Sequence, residues 1–247
     1  MKLILFVLLS LMSLNLMAFD HDHSKLSIIL TEFVKIEGPK TSVDYTGLKK
    51  DPRALDAYLK ELSQVKKSKY DQFTSDQKLS FLINAYNAFT LKLMRDNWPT
   101  DSIRDLGSIF SSPWKKEFFS LLGEERSLDW LEHEVIRKEF DEPRIHFAVN
   151  CASLSCPSLR AEAFIASKLD AQLEEQAKSF LNDPVKNKLV RNKVMLSKIF
   201  YWYGKDFTKN GQNLISVLNQ WRSVKFPTDG KIDFLEYKWT PNSHESQ

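Results

Sequence analysis

Apolar side chains recur at helical spacing in the first half of the chain. Residues 26–36 and 52–65 each have the pattern of an amphipathic helix. A third helix is predicted to begin after Thr74, because Thr74 and Gln77 match the capping-box pattern. This third helix is apolar on nearly every face through Met94, so we expect it to lie at the centre of the fold.

The second half of the chain predicts shorter elements. Two runs, 118–128 and 189–196, are each divided by a turn and are typical of β-hairpins. Helical spacing returns at 129–140, 167–181 and 213–222, and residues 234–239 are predicted to be extended. Alternating polar and apolar residues at 144–150 predict a central strand that leads into the loop with the cysteines.

Helices outnumber strands, and the strands are predicted in separated pairs around that central strand. This pattern favours an α+β fold, mainly helical, over a doubly wound parallel sheet. The chain has 247 residues and contains neither an internal repeat nor a linker rich in proline, glycine and serine. A single domain is therefore predicted.

The first residues have the features of a secretory signal. Lys2 is followed by an apolar run at 3–14 and by the small residue Ala18, which predicts a signal peptide at 1–18 and a periplasmic or secreted protein. The large Leu16, three residues before the cut, leaves an uncleaved anchor open as an alternative. We expect no integral membrane domain in the mature chain, because no second apolar run is long enough to span a bilayer.

The charge balance argues against one class of partner. The chain carries 35 basic and 32 acidic side chains, a formal charge of +3. Binding to nucleic acid requires basic residues concentrated on one face, so no nucleic-acid partner is predicted.

The strongest candidate for a reactive centre is the stretch 144–157. It holds both cysteines, Cys151 and Cys156, together with His146. If the stretch is a strand, alternation places Arg144, His146 and Asn150 on one face. His21, His23 and His244 lie near the ends of the mature chain, where we expect mobile segments, so His133 and His146 are the expected ordered bases.

Three interpretations of the cysteines stay open. They could form a structural disulfide, as suits an exported protein with two cysteines. Cys151 could be a thiol nucleophile activated by His146 or His133. A zinc site is the third, but the spacing matches no close-set zinc motif, and we predict no metal and no cofactor.

Two asparagines and a glutamate interrupt apolar stripes. Asn84 and Asn87 lie one turn apart on the predicted central helix. They could tie loop backbone to the helix, or one could orient a catalytic histidine or donate to an oxyanion. Glu132, beside His133, could be salt-bridged or could be a carboxylate with a raised pKa.

Three segments of the sequence resemble one known family. Residues 81–91, 127–137 and 144–160 resemble the family named domain of unknown function 547, and 201–207 and 237–242 resemble its closing segments. The resemblance implies a domain over 43–242, preceded by a segment at 19–42 and followed by a tail at 243–247.

The same resemblance implies exported bacterial relatives, plant proteins with added helical regions and animal proteins joined to a glutaredoxin-like module. It implies no activity. Ser158 departs from the family, whose members usually carry a second proline after Cys-Pro.

Two functions are compatible with these residues. The first is thiol-dependent hydrolysis or acyl transfer. Its candidate catalytic residues are Cys151, His146, Cys156, His133, Glu132, Asn84 and Asn87, and its candidate substrate contacts are Arg144, Asn150, Trp114 and Tyr86. The alternative is a non-catalytic envelope module stapled by the disulfide. That module would bind a peptide or glycan through Trp114, Trp130, Trp202 and Tyr203.

Overall fold

A computed structural model describes residues 19–108, 111–209 and 211–246. The predicted signal peptide, 1–18, lies outside them. The α-helices formed by these residues are α1 (Ser24–Phe33), α2 (Tyr45–Lys50), α3 (Arg53–Gln64), α4 (Lys67–Tyr70), α5 (Ser75–Asp96), α6 (Arg137–Glu139), α7 (Leu169–Asn182), α8 (Ile199–Phe207) and α9 (Leu214–Leu218). The strands are β1 (Val34–Glu37), β2 (Lys40–Val43), β3 (Phe119–Leu121), β4 (Glu124–Arg126), β5 (Lys188–Val190), β6 (Lys193–Leu196) and β7 (Lys231–Phe234). This composition confirms the mainly helical α+β class.

Helix α5 lies at the centre of the fold, as predicted. The Thr74 hydroxyl accepts a hydrogen bond from the Gln77 amide at 3.3 Å, and the Gln77 side chain accepts one from the Thr74 amide at 2.9 Å. This reciprocal cap satisfies two amides that the first helical turn leaves free. The helix packs against α2, α3 and a π-helix at Trp130–Ile136, and most of its side chains are buried.

The hairpins β3–β4 and β5–β6 are confirmed, with two differences around them. Strand β7 pairs in parallel with β6, so the last sheet has three strands and is mixed. Residues 34–37, predicted as the end of the first helix, form β1 and pair with β2. Ile36 is exposed, so it buries no apolar surface that would favour another helical turn.

The predicted strand at 144–150 is wrong. Pro143–Phe147 is a 3₁₀ helix, and the backbone continues as an irregular loop. The Glu142 side chain accepts a hydrogen bond from the Arg144 amide at 3.0 Å, and Pro143 supplies a φ angle suited to a first helical turn. The alternation of side chains is therefore lost: His146 is buried, whereas Arg144 binds acidic groups near the surface.

Two packed cores fill the molecule. The larger surrounds α1, α3 and α5, and the smaller joins α7, α8 and the mixed sheet through residues such as Phe147, Val194 and Phe200. Trp239 packs against both cores, which brings the end of the chain beside α5 and α8. No helix within the described ranges is long and apolar enough to cross a membrane.

The expectation of mobile terminal histidines is also wrong. His23 is buried and lies 2.7 Å from the Tyr58 hydroxyl, and the His21 ring packs edge-on against Phe73. His244 lies 2.6 Å from the Ser42 hydroxyl. Both ends pack on the body of the protein because α1 is amphipathic and residues 242–243 pair with Val43.

Candidate functional site

The loop after the 3₁₀ helix is held in a fixed shape by its own side chains. Cys151 and Cys156 form a disulfide with their Cα atoms 5.9 Å apart, as in the first of the three interpretations. The Asn150 side chain accepts from the Ala152 amide at 2.9 Å and donates to the Pro157 carbonyl at 2.7 Å. The loop is thus closed twice, once covalently and once through a buried amide.

Beside this loop lies a cleft of about 230 Å³. Its walls include seven of the residues predicted for the site: Tyr86, Trp114, Glu132, His133, His146, Cys151 and Cys156. Further rings come from Trp202, Tyr203, Tyr237 and Trp239. Segments far apart in the sequence therefore meet here: α5, the π-helix, the cysteine loop, α8 and the closing segment.

Glu132 is the buried carboxylate of this cleft. Tyr86 and Tyr203 line the cleft together with it and are influenced by its charge. Burial, reinforced by the charge of Glu132, raises the pKa of both phenols well above the ordinary value, so both remain protonated donors. Glu132 consequently shares the cleft with two phenols that stay protonated.

His146 belongs to a charged network that the sequence analysis did not foresee. Its Nε2 lies 2.8 Å from Oδ2 of Asp206, and Arg137 binds both oxygens of that carboxylate at 2.7 and 3.0 Å. Burial alone would raise the pKa of Asp206, but the hydrogen bonds from His146 and Arg137 hold it far below the usual range. Asp206 is therefore ionised and fixes Nε2 of the imidazole as a donor.

Nδ1, the other ring nitrogen of His146, is hydrogen-bonded to neither Asp206 nor Arg137. Nδ1 is shielded from solvent and has no hydrogen-bond partner among the residues that the structure describes. The ring of Tyr203 stacks on the imidazole, with centroids 4.1 Å apart. A neutral imidazole with its proton on Nε2 has a lone pair on Nδ1, which is the form required of a hydrogen-bond acceptor or a general base.

His133 is half-exposed and is oriented by a different partner. Arg137 donates to its Nδ1 at 2.9 Å, and its Nε2 lies 3.8 Å from Asp129. Arg137 therefore links the two histidines of the cleft, since it also binds Asp206.

The disulfide contributes to the wall of the cleft. The Tyr237 hydroxyl lies 3.1 Å from the Cys151 sulfur and 3.3 Å from that of Cys156. The Ser153 hydroxyl lies 3.3 Å from the Cys151 sulfur. The hydrogen-bonding neighbours of the Cys151 sulfur are thus hydroxyl groups.

Four predicted site residues lie outside the cleft. Asn84 exchanges two hydrogen bonds with the backbone of Phe164, at 2.7 and 3.0 Å. Asn87 donates to the Ala148 carbonyl at 3.0 Å and accepts from the Asn150 amide at 2.8 Å. These contacts confirm that both amides tie loop backbone to the central helix.

Arg144 and Asn150 are likewise engaged elsewhere. Arg144 binds Glu142 at 2.6 Å and Asp170 at 2.8 Å, and Asn150 closes the cysteine loop. Trp130 also lies outside the cleft, with the guanidinium of Arg126 4.1 Å from its ring centroid.

The sequence contained one signal for the missed carboxylate. Asp206 is the sole acidic residue in the segment 201–207, which resembles a closing segment of the DUF547 family. Nothing in the spacing of Arg137, in contrast, indicated that it would bridge two histidines.

Within the described ranges, no group of three or more histidine, cysteine, aspartate or glutamate side chains is arranged to hold a metal ion.

Comparison with known proteins bears on this same region. A family model described as "Protein of unknown function, DUF547" matches residues 70–181. The resemblance to DUF547 is confirmed. The DUF547 match includes Tyr86, Glu132, His146 and both cysteines, whereas the walls from α8 and the closing segment lie beyond it. No curated protein and no solved structure matches the chain.

Proposed function

We propose that the protein is a binding module whose aromatic cleft receives one sugar ring of a glycan. The observation that carries the proposal is a set of neighbouring indole rings in the same cleft as a buried carboxylate. The rings of Trp202 and Trp114 lie 5.9 and 5.6 Å from that of Trp239, and Glu132 lies in the same cleft. Aromatic walls with a few oriented polar groups are the usual composition of a small-molecule site.

The polar groups of the cleft favour a glycan over a peptide. Glu132, Asp129 and the Nδ1 atom of His146 are hydrogen-bond acceptors. Sugar hydroxyls supply donors to such groups, while the C–H face of the sugar ring packs on an indole. A peptide group brings a carbonyl for every amide and would need matching donors. The volume, about 230 Å³, is below the roughly 300 Å³ at which drug-sized ligands begin to fit, so one sugar ring would enter at a time.

Titration of the folded protein with tri-N-acetylchitotriose and cellotriose, followed by calorimetry, tests this proposal. Trp202→Ala should weaken binding about tenfold, since it removes an aromatic wall. Tyr201→Ala is the matched control, because Tyr201 is the adjacent exposed ring on α8 and packs on Phe234 instead.

Two results would contradict glycan binding. One is the absence of measurable heat with either sugar when trialanine does bind, which would favour a peptide site. The other is an equal loss of affinity in Trp202→Ala and Tyr201→Ala, which would show that the effect does not arise in the cleft.

A second candidate function is thiol-dependent hydrolysis or acyl transfer by the reduced protein. Cys151 lines the same cleft as His133 and His146, and this shared position favours the candidate. A small dithiol would give two electrons and two protons to the disulfide, and thiols would form at both cysteines. The Cys151 thiolate could then attack an ester carbonyl, release the alcohol, and pass the acyl group from the thioester to water.

Iodoacetamide labelling over a range of pH tests the second candidate. After treatment with dithiothreitol, Cys151 should label below the pH expected of an ordinary thiol, and His146→Ala should shift the curve upward. His133→Ala serves as the parallel variant. A labelling curve that moves in neither variant would exclude both histidines as bases.

We also infer that residues 1–18 are removed during export. Export is consistent with the disulfide, because such bonds persist mainly in oxidising compartments. Intact-mass measurement of the protein recovered from the periplasm or medium should give a chain that begins at Phe19. Recovery of the full-length mass in the membrane fraction would contradict this inference.

A further inference from the structure

A second cavity, of about 380 Å³, shares Cys156, Pro157 and Tyr237 with the aromatic cleft. Its walls have a different composition. Four lysines line it: Lys40, Lys186, Lys198 and Lys238. Glu236 is the single carboxylate among the described residues of this lining. We call this cavity the lysine pocket.

Lys186 is the most unusual member of the lysine pocket. It is 8 % exposed, although lysine is among the residues least often buried without a partner of opposite charge. Its ammonium donates to the Cys156 carbonyl, and burial lowers its pKa to about 8. Asp183 partly opposes this shift, and Lys40 reinforces it.

The charge of Lys186 is not neutralised by an ion pair. Over the residues that the structure describes, none of the four lysines has a carboxylate within 4.0 Å. An ammonium group has three N–H donors, and the Cys156 carbonyl accepts from one. Two donors of a buried cation are therefore left for another acceptor.

A hydroxyl group gives a second, independent indication of a ligand. Oγ1 of Thr41 is shielded from solvent and finds no hydrogen-bond partner within the described ranges. Thr41 lines the same pocket, next to Lys40 on strand β2. A buried donor without a protein acceptor is uncommon in folded proteins and points to a group that interacts with a ligand.

We propose that the lysine pocket binds a ligand through a phosphate group. Phosphate carries up to two negative charges and several acceptor oxygens, which suits a set of lysines and a free hydroxyl. Binding would provide a counter-ion for Lys186 and an acceptor for Thr41. This site is separate from the glycan cleft, so either proposal can fail without the other.

Calorimetric titration with inorganic phosphate, at an ionic strength held constant with chloride, tests the site in the intact protein. Lys186→Met should raise the dissociation constant at least about tenfold, because the central buried cation is lost. Lys198→Gln should raise it by a smaller factor. Lys60→Gln is the matched control, since Lys60 is exposed on α3 and lies outside the pocket.

Further arms separate the possible ligands. Acetate at the same ionic strength should compete poorly, because it carries one charge. Glycerol 3-phosphate and vesicles of phosphatidylglycerol distinguish a soluble phosphate ester from a lipid headgroup, and binding of either should be lost in Lys186→Met.

The proposal would be overturned if the wild type bound no phosphate at millimolar concentration. Equal weakening in Lys60→Gln, or equal affinity for acetate and phosphate, would also overturn it. If Lys186→Met fails to fold, phosphate titration of Lys198→Gln and Lys40→Gln tests the proposal instead.

Discussion

The two cavities share one loop but have opposite chemistry. The aromatic cleft is lined by ring faces and by the carboxylates of Glu132 and Asp129, and its described lining includes neither lysine nor arginine. The lysine pocket has four lysines and one carboxylate. A loop of seven residues, 151–157, contributes to both linings. The shape of both cavities therefore depends on the conformation of this one loop.

The contacts of the loop show how it is immobilised. Gln176 joins the backbone before the loop to the backbone after it. Its side-chain amide donates to the carbonyls of Phe147 at 3.0 Å and Ser158 at 2.8 Å. Asn87 holds the backbone just before the first cysteine. These bonds satisfy buried backbone groups that would otherwise have no partner, so they are explained without reference to the chemistry of either cavity.

Removing the amide of Asn87 should have the largest effect on both cavities. Asn87→Ala leaves the Ala148 carbonyl and the Asn150 amide without partners, and should lower the free energy of unfolding by about 3 kcal/mol. Urea unfolding measures the change, with Gln212→Ala as an exposed control.

Asn84→Ala is the matched variant for Asn87→Ala. It also removes two hydrogen bonds, but to Phe164, which lines neither cavity. We expect a similar loss of stability from both variants and impaired chitotriose and phosphate binding in Asn87→Ala alone. Equal binding by the two variants would contradict the role of Asn87 as the support of the shared loop.

These asparagines illustrate how much the sequence could predict. Two amides inside an apolar helix indicate buried hydrogen bonds, because an unpaired amide is unfavourable there. Helical spacing also placed α5 and its cap, and the clustering of Cys151, Cys156 and His146 indicated the cleft. The partner of Asn84, however, lies 80 residues away, and no local pattern identifies it.

The remaining features depend on tertiary contacts. The alternation at 144–150 is compatible with a strand, but Pro143 and the Glu142 cap favour a 3₁₀ turn. The pairing of Asp206 with His146 spans 60 residues. The lysine pocket was not predicted because its lysines are scattered along the chain and lysine is ordinarily a surface residue.

Opening the disulfide should have the next largest effect. A bond that closes so short a loop restricts the unfolded chain only a little, so Cys151→Ser and Cys156→Ser should each lower the free energy of unfolding by about 2 kcal/mol. Unfolding by urea without reductant, beside a count of free thiols in the wild type, tests this. A wild type with two free thiols, or serine variants of unequal stability, would contradict a disulfide that acts only by restricting the unfolded chain.

Asp206→Asn should lower the free energy of unfolding by about 1.5 kcal/mol at pH 7, since hydrogen bonds to a charged group are lost. Of the two cavities, we expect it to affect only the aromatic cleft. The pKa of Asp206 is lower in the folded state than in the unfolded chain. Its contribution is therefore complete above the ordinary pKa of aspartate and declines as the pH falls below it. Asp141→Asn is the control, because Asp141 is an exposed partner of Lys209. We expect Asp206→Asn to weaken glycan binding and to leave phosphate binding unchanged. Equal loss of both affinities would contradict the difference between the two cavities.

Lys186→Met should have the smallest effect, and one of opposite sign. Burial lowers the pKa of Lys186 to about 8 from an unfolded value of 10.5, so the charged form opposes folding at pH 7 by about 3 kcal/mol. Methionine removes that penalty but leaves the Cys156 carbonyl without its donor, and the net gain should be about 1 kcal/mol.

The pH dependence of this gain follows from the same shift. Between pH 8 and 10.5 the unfolded chain binds more protons than the folded one, so wild-type stability should rise over this range relative to Lys186→Met. The neighbouring charges of Lys40, Lys198, Lys238, Glu236 and Asp183 are the same in both proteins. Urea unfolding at pH 7 and pH 10, with and without phosphate, measures both effects. If Lys186 is retained for an anion, phosphate should stabilise the wild type and not the variant; a variant less stable than the wild type without phosphate would instead show that the lysine is held for its bond to Cys156.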